Sequence, residues 1–211
     1  TCNADGKGAW RVDLATPIAG GPHTLTVTAD KSITLQDVMV GEVWLCAGQS
    51  NMGWRLGATF EGKQDGDSAN DSDLRIFRSE RSHNFEPQND SVGEWKQCTP
   101  ISAEACSAVS FYFARKLREE LGIPIGIIIQ PYAGTPIEGW MPKEVQMDDP
   151  RTRSTIEKMD MESASYDLEK AKAQLERSMA LWKSGKRRGE PKLRTPSNWG
   201  HQYPGNIFNG M

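Results

Sequence analysis

The sequence is poor in the residues that most often announce a mechanism. Its 211 residues include only three histidines, His23, His83 and His201, and its four cysteines (Cys2, Cys46, Cys98 and Cys106) form no CxxC pair. The spacing of a zinc knuckle or a thioredoxin-type redox site is therefore missing, and neither a metal nor an organic cofactor is implied. No apolar run approaches the roughly 18 residues that a membrane-spanning helix needs, so no membrane partner is expected. An excess of charge is missing as well. The 25 Lys+Arg stand against 28 Asp+Glu for a net charge of -3, which gives no global attraction to nucleic acid or to anionic lipid. What remains is a chain long enough to bury a sizeable core, with a small-molecule partner as the fitting expectation.

The pattern along the chain is that of an α/β protein preceded by the end of a small β domain. In residues 1–37 apolar and polar positions alternate (Leu25, Val27; Ile33, Leu35) around Gly20-Gly21-Pro22, the mark of short antiparallel strands. Val38 to Ala47 is apolar almost throughout and reads as one strand covered on both faces, running into Gly48-Gln49-Ser50-Asn51. A loop over residues 57–71 and a short strand at Leu74–Phe77 follow, and Gly93 to Pro100 reads as a turn-rich connection. From Ser107 to Leu121, Val109, Phe113, Leu117 and Leu121 recur at helical spacing before the stop at Gly122 and Pro124. Ile125 to Gln130 is then a second continuous apolar strand, and strand, helix, strand in succession implies a parallel sheet with right-handed crossovers. A helical insertion is expected at about 151–184, with Leu168, Leu175 and Trp182 seven apart on one stripe from Ile156 to Trp182. The six basic residues from Lys183 to Arg194 read as a solvated linker.

Two turns carry the chemical signal. In open α/β sheets the ligand crevice lies beyond the carboxyl ends of the strands, where Gly48-Gln49-Ser50 and Tyr132-Ala133-Gly134-Thr135 both fall. A serine just past a buried strand can present its hydroxyl while its own N–H and that of Gly134 point at one space, as a tetrahedral oxyanion requires. The alternative is that the glycines only turn the chain and Ser50 caps a helix. Cys98 and Cys106 are close enough in sequence to close a small disulfide loop in an oxidising compartment or to stay free, and Cys46 reads as a buried thiol.

The blocks GEVWLCAGQSNMGW (Gly41–Trp54), PIGIIIQPYAGTPIEGWMP (Pro124–Pro142) and PGNIFNGM (Pro204–Met211), in that order, resemble the sialate O-acetylesterase family of the SGNH hydrolase superfamily. Gly6 to Val27 resembles the β domain that precedes the esterase domain in that family. The resemblance implies a flavodoxin-like parallel sheet with helices on both faces, an N-terminal portion of the esterase domain over 38–211, and hydrolysis of acetyl esters on sugars. It implies Ser50 as nucleophile, with the N–H groups of Ser50 and Gly134 as oxyanion donors. Gln49 and Asn51 would hold the nucleophile turn, and Glu138 and Trp140 would shape or support the pocket. Trp54 and Trp140 are candidates for stacking on a sugar face. The sequence departs from the family in having Tyr132 for a tryptophan and Ala133 for a glycine. In the family an aspartate and a histidine before a proline lie beyond the block that matches PGNIFNGM, so they are expected on a C-terminal fragment or a second chain. His23, His83 and His201 are expected at the surface, and Glu80-Arg81-Ser82-His83 mimics the acid and histidine pairing only superficially. The resemblance also implies a secreted, periplasmic or lysosomal location. An acetylxylan-type carbohydrate esterase and a catalytically silent carbohydrate-binding module are the alternative readings.

Overall fold

The computed structural model describes all 211 residues, and the chain divides into two units. The first comprises Thr1–Ala47, Asn51–Arg78 and Glu94–Ile129, and the second Gly48–Ser50, Ser79–Gly93 and Gln130–Met211.

The first unit contains an antiparallel hairpin, β1 (Gly20–Thr28) and β2 (Ser32–Val40), in which Leu25 faces Leu35 and Val27 faces Ile33. Its main sheet has the order β3 (Glu42–Gly48), β6 (Ile125–Pro131), β4 (Asp71–Arg78), β5 (Trp95–Cys98). β4 and β6 run parallel while β5 returns antiparallel, so the segment expected to be a turn-rich connection contributes an edge strand. The α/β class is as expected. The apolar run Val38–Ala47, expected as one strand, is two: it breaks at Gly41, where a Cβ would lie 2.0 Å from the Pro124 carbonyl oxygen. β3 is also an edge strand, not one covered on both faces. Val43 and Leu45 are 59% and 54% exposed, and of β3 only Cys46 is buried.

β6 is the interior strand that its unbroken apolar pattern predicts. Ile125, Ile127 and Ile129 are wholly buried, each burial stabilising by about 1.5–3 kcal/mol. Helix α3 (Ala108–Leu121) starts at Ser107, whose hydroxyl accepts from Ser110 N–H, and stops at Gly122, which takes the left-handed conformation at φ 65°. Its buried residues are Ala108, Ser110, Phe111 and Ala114, whereas Val109, Phe113 and Leu121 of the expected stripe are exposed. Phe111 enters the core beside the small Ala108, Ser110 and Ala114, and Phe113 meets Trp44 edge-on at 5.2 Å instead. Cys46, Cys98 and Cys106 are all buried free thiols, so the structure pairs neither Cys98 nor Cys106. Burial, with the neighbouring thiols Cys98 and Cys46 adding to it, pushes the Cys106 thiol up to about 12. Residues 57–71, expected as a loop, include the short helix α1 (Gly62–Asp67), and α2 (Pro100–Glu104) carries a Thr99–Ser102 capping box.

The second unit is mostly helical: α4 (Lys143–Asp148), α5 (Pro150–Ala164), α6 (Leu168–Lys183) and α7 (Asn206–Asn209). The single stripe expected from Ile156 to Trp182 is split between α5 and α6, because the Asp167 carboxylate accepts from Lys170 N–H and starts a new helix. Leu168 is exposed as a result, while Leu175 and Trp182 are half-buried. No helix is long and apolar enough to cross a membrane.

The hairpin is held to the sheet by a two-pronged ion pair. Asp37, at a left-handed φ of 60° within β2, accepts from two guanidinium nitrogens of Arg75 on β4 at 2.6 and 2.8 Å. The hydrogen bonds from Arg75, then that from Gln97, lower the Asp37 carboxyl from 3.8 to about 2. The folded state therefore binds its proton later than the unfolded chain, and the stabilisation is complete above 3.8 and lost as pH falls toward 2. Asp37→Asn is expected to flatten the acid limb of a melting-temperature profile over that window and to leave the neutral-pH helix content unchanged. Identical acid limbs for variant and wild type would show that the ion pair contributes nothing.

Candidate active site

Gly48 closes β3 and Pro131 closes β6, and the residues just beyond both belong to the second unit. Tyr132 N–H donates to the Gly48 carbonyl at 2.8 Å, which carries strand-like pairing one step past the regular sheet. Ser50 lies two residues beyond Gly48 and is exposed, so its hydroxyl is open to solvent. The side-chain amide of Gln49 donates to the Thr135 carbonyl and so ties the serine turn to the glycine turn. Gly134 sits at φ 75° with open space around it, a conformation that a side chain would strain. Within the second unit, neither Ser50 N–H nor Gly134 N–H donates to a backbone carbonyl. Two fastened turns thus keep two backbone donors without a backbone acceptor and one exposed hydroxyl, the parts from which an acyl-transfer site is built.

The supports are distributed unevenly among the expected residues. Trp140 is half-buried, and its Nε1–H donates to Thr135 Oγ1 at 2.9 Å while that hydroxyl donates to the Tyr132 carbonyl at 2.8 Å. Its indole nitrogen is therefore spent on bracing the glycine turn. Glu138 contributes its backbone: its carbonyl accepts from Gly205 N–H at 3.0 Å and from Gln146 Nε2 at 2.8 Å. Asn51 lies in the first unit, where its side chain makes no hydrogen bond and its carbonyl accepts from Trp54 N–H at 3.3 Å. Trp54, also in the first unit, is 56% exposed.

Two histidines expected at the surface prove to be half-buried parts of a cluster. The Tyr132 ring stacks on His201 at 4.6 Å with 18° between planes, and His83 meets both edge-on at 6.2 and 5.9 Å. Tyr132 Oη lies 3.4 Å from His83 Nδ1. Gln202 Nε2 donates to the Gly134 carbonyl at 3.4 Å, which anchors the His201 loop on the glycine turn. Ser82 Oγ donates to the Gly210 carbonyl, and a Cβ on Gly210 would lie 2.9 Å from the His83 backbone, so only glycine allows this approach. No carboxylate hydrogen-bonds either imidazole. The cluster was not legible in sequence because residues 83, 132 and 201 meet only through tertiary packing, and no local motif links them.

The fold and the two turns leave the substrate class open, and the comparisons supply it. A family model described as carbohydrate esterase, sialic acid-specific acetylesterase, matches residues 40–183. The chain belongs to this family. It is 32% identical over 145 residues to the sialate O-acetylesterase of Rattus norvegicus, covering 62% of this chain and 27% of that protein. The corresponding enzyme of Homo sapiens is 31% identical over the same length, covering 62% and 28%. Among solved structures, a carbohydrate acetylesterase from Xanthomonas citri matches with a TM-score of 0.66 and 40% identity, over 71% of this chain and 35% of that one. The chain spans little more than a quarter of the length of the curated relatives it matches.

Burial, then the proximity of His83, holds the His201 imidazole below its ordinary value of 6.5. The unfolded chain takes up that proton first, so the stability owed to neutral His201 is complete above 6.5 and lost as pH falls through the lower folded value. The expected NMR titration midpoint of His201 lies below that of a free imidazole, and His83→Asn moves it up by removing one of the two causes. A midpoint unmoved by His83→Asn would assign the whole shift to burial.

Proposed function

We propose that this chain bears the nucleophile of a serine esterase that removes O-acetyl groups from sugars, O-acetylated sialic acid foremost among them. Membership of the family supports the reaction class. The observation that carries the reading is the pair of fastened turns, which leave Ser50 exposed and, within the second unit, the N–H groups of Ser50 and Gly134 without a backbone acceptor.

In this reading Ser50 Oγ attacks the acetyl carbonyl carbon and its proton passes to a histidine. The carbonyl oxygen becomes the oxyanion, held by the two N–H groups. Collapse breaks the bond to the sugar oxygen, which takes the proton from the histidine. Water, deprotonated by the same group, then releases acetate from the acetyl-serine. His83 and His201 are poor candidates for this base, since they are committed to Tyr132 and to each other and lack a carboxylate to hold and strengthen an imidazole. The histidine and its aspartate are assigned to residues outside this sequence, on the same polypeptide or on a second chain. A secreted, periplasmic or lysosomal location belongs to the same reading.

The lack of a carboxylate beside either imidazole also favours one rival, a carbohydrate-binding module that keeps the fold without the chemistry. Hydrolysis of an O-acetylated sialic acid, measured with and without the complementing histidine-bearing segment, separates the two. The esterase reading expects Ser50→Ala to lower kcat/KM by on the order of 10⁴-fold or more and to abolish labelling by a fluorophosphonate. Sugar binding that is equal in wild type and Ser50→Ala, without hydrolysis in any preparation, would establish the binding module.

A further inference from the structure

The second unit contains a polar cavity of about 280 Å³ that no part of the serine chemistry uses. Its lining includes Phe85, Glu86, Lys143, Glu144, Asp160 and Asn209. Its walls are held in place from several sides. Lys143 Nζ donates to Asp160 Oδ2 at 3.2 Å and to the hydroxyl of the buried Tyr203, and it lies 5.0 Å from the centre of that ring. The Tyr203 hydroxyl in turn donates to Asp160. Elsewhere in the lining, Asn209 Nδ2 donates to the Phe85 carbonyl at 2.6 Å, and Gln88 N–H donates to the Asn209 carbonyl at 2.8 Å. The Phe85 ring is 50% exposed over this fastened loop.

We propose that this cavity is a subsite for a neutral sugar unit of the glycan that bears the acetylated sugar. The chemistry of the lining selects the ligand. Three acidic residues, Glu86, Glu144 and Asp160, line the cavity with a single cation, Lys143, whose charge Asp160 already balances, so an anionic group is disfavoured. Carboxylate and amide oxygens are acceptors for hydroxyl donors, and an exposed ring offers an apolar platform for the C–H face of a pyranose. The volume lies just under the roughly 300–1,000 Å³ of drug-sized ligand pockets, the scale of one sugar unit. Position links the cavity to the candidate active site. Phe85 is two residues, at most about 7 Å of chain, from His83, which packs on Tyr132, whose N–H is bonded to Gly48. A glycan reaching from Ser50 toward the 83–87 loop therefore has a second place to rest.

The proposal rests on the sugar-esterase reading, and its test separates the two. Lactose is titrated into the protein by amide NMR, with glucuronate as the anionic comparison. Saturable lactose-dependent shifts are expected at Phe85, Glu86, Lys143 and Asn209, with glucuronate at least tenfold weaker there by repulsion from the carboxylates. Phe85→Ala, at an exposed position, is expected to fold normally, to weaken lactose roughly fivefold and to leave hydrolysis of a small acetyl ester unchanged. Absence of saturable shifts at these amides, or equal lactose affinity in Phe85→Ala, overturns the subsite even if Ser50 is confirmed as nucleophile. Lactose shifts without Ser50-dependent hydrolysis would leave the subsite standing and remove the esterase.

Discussion

The hydrogen bond from Tyr132 N–H to the Gly48 carbonyl, 2.8 Å long, is the constraint on which the candidate site depends. Sheet pairing brings backbones to about 4.8 Å, and this bond extends that spacing past the ends of β3 and β6 into the turns that follow. Ser50 and Gly134 each lie two residues further on, too few for the chain to wander. The remaining freedom is removed by side chains: Gln49 on the Thr135 carbonyl, Thr135 on the Tyr132 carbonyl, and Trp140 on Thr135. Each bond satisfies a group that would otherwise compete for the two N–H donors. A preorganised electrostatic site needs this division, in which the supports are saturated and the working donors are left free.

A second set of ties acts on the loops around this turn. Asn84 N–H donates to the Asn206 carbonyl and Gln88 N–H to that of Asn209, while Ser82 reaches Gly210. They set His83 against Tyr132, and the Gln202 contact sets His201 where it stacks on the same ring and meets His83. The result is an aromatic wall, and its chemistry differs from that of an acid–base pair. The His201 imidazole, stacked and partly desolvated, prefers the neutral form, whereas a base coupled to a carboxylate is held ready to accept a proton.

The elements visible in the sequence were those with strong local signals. β6 was legible because six residues from Ile125 include four isoleucines and nothing charged, and α3 because its helical spacing ends at Gly122. The serine and glycine turns were legible because each follows such a strand. What the sequence hid was decided at longer range. On α3 the spacing shows a stripe but not which face meets the core: Ala108, Phe111 and Ala114 are buried, and Val109 and Phe113, at the same helical spacing, are exposed. β3 was read as covered on both faces because its composition resembles that of β6, and composition does not say which strand lies at the edge. Asp167 was lost inside a heptad-like stripe, although its capping oxygen outweighs the stripe locally. The histidine cluster had no local signal, since each member sits in a different loop.

The physical value of the turn does not vanish when the base lies elsewhere. Removing any member of a serine–histidine–aspartate set leaves a residual acceleration of roughly 10³–10⁴ from the oxyanion donors and from substrate binding. Those are the contributions for which this chain supplies candidates: two N–H groups without a backbone acceptor, on fastened turns, and an aromatic wall beside them. The base adds the rest by raising the nucleophilicity of a hydroxyl that is exposed. Under the proposed reading this division has a purpose: the bonds at Gly48 and Thr135 hold the backbone of both turns, Ser50 N–H included, and the Ser50 hydroxyl alone is left to meet a base.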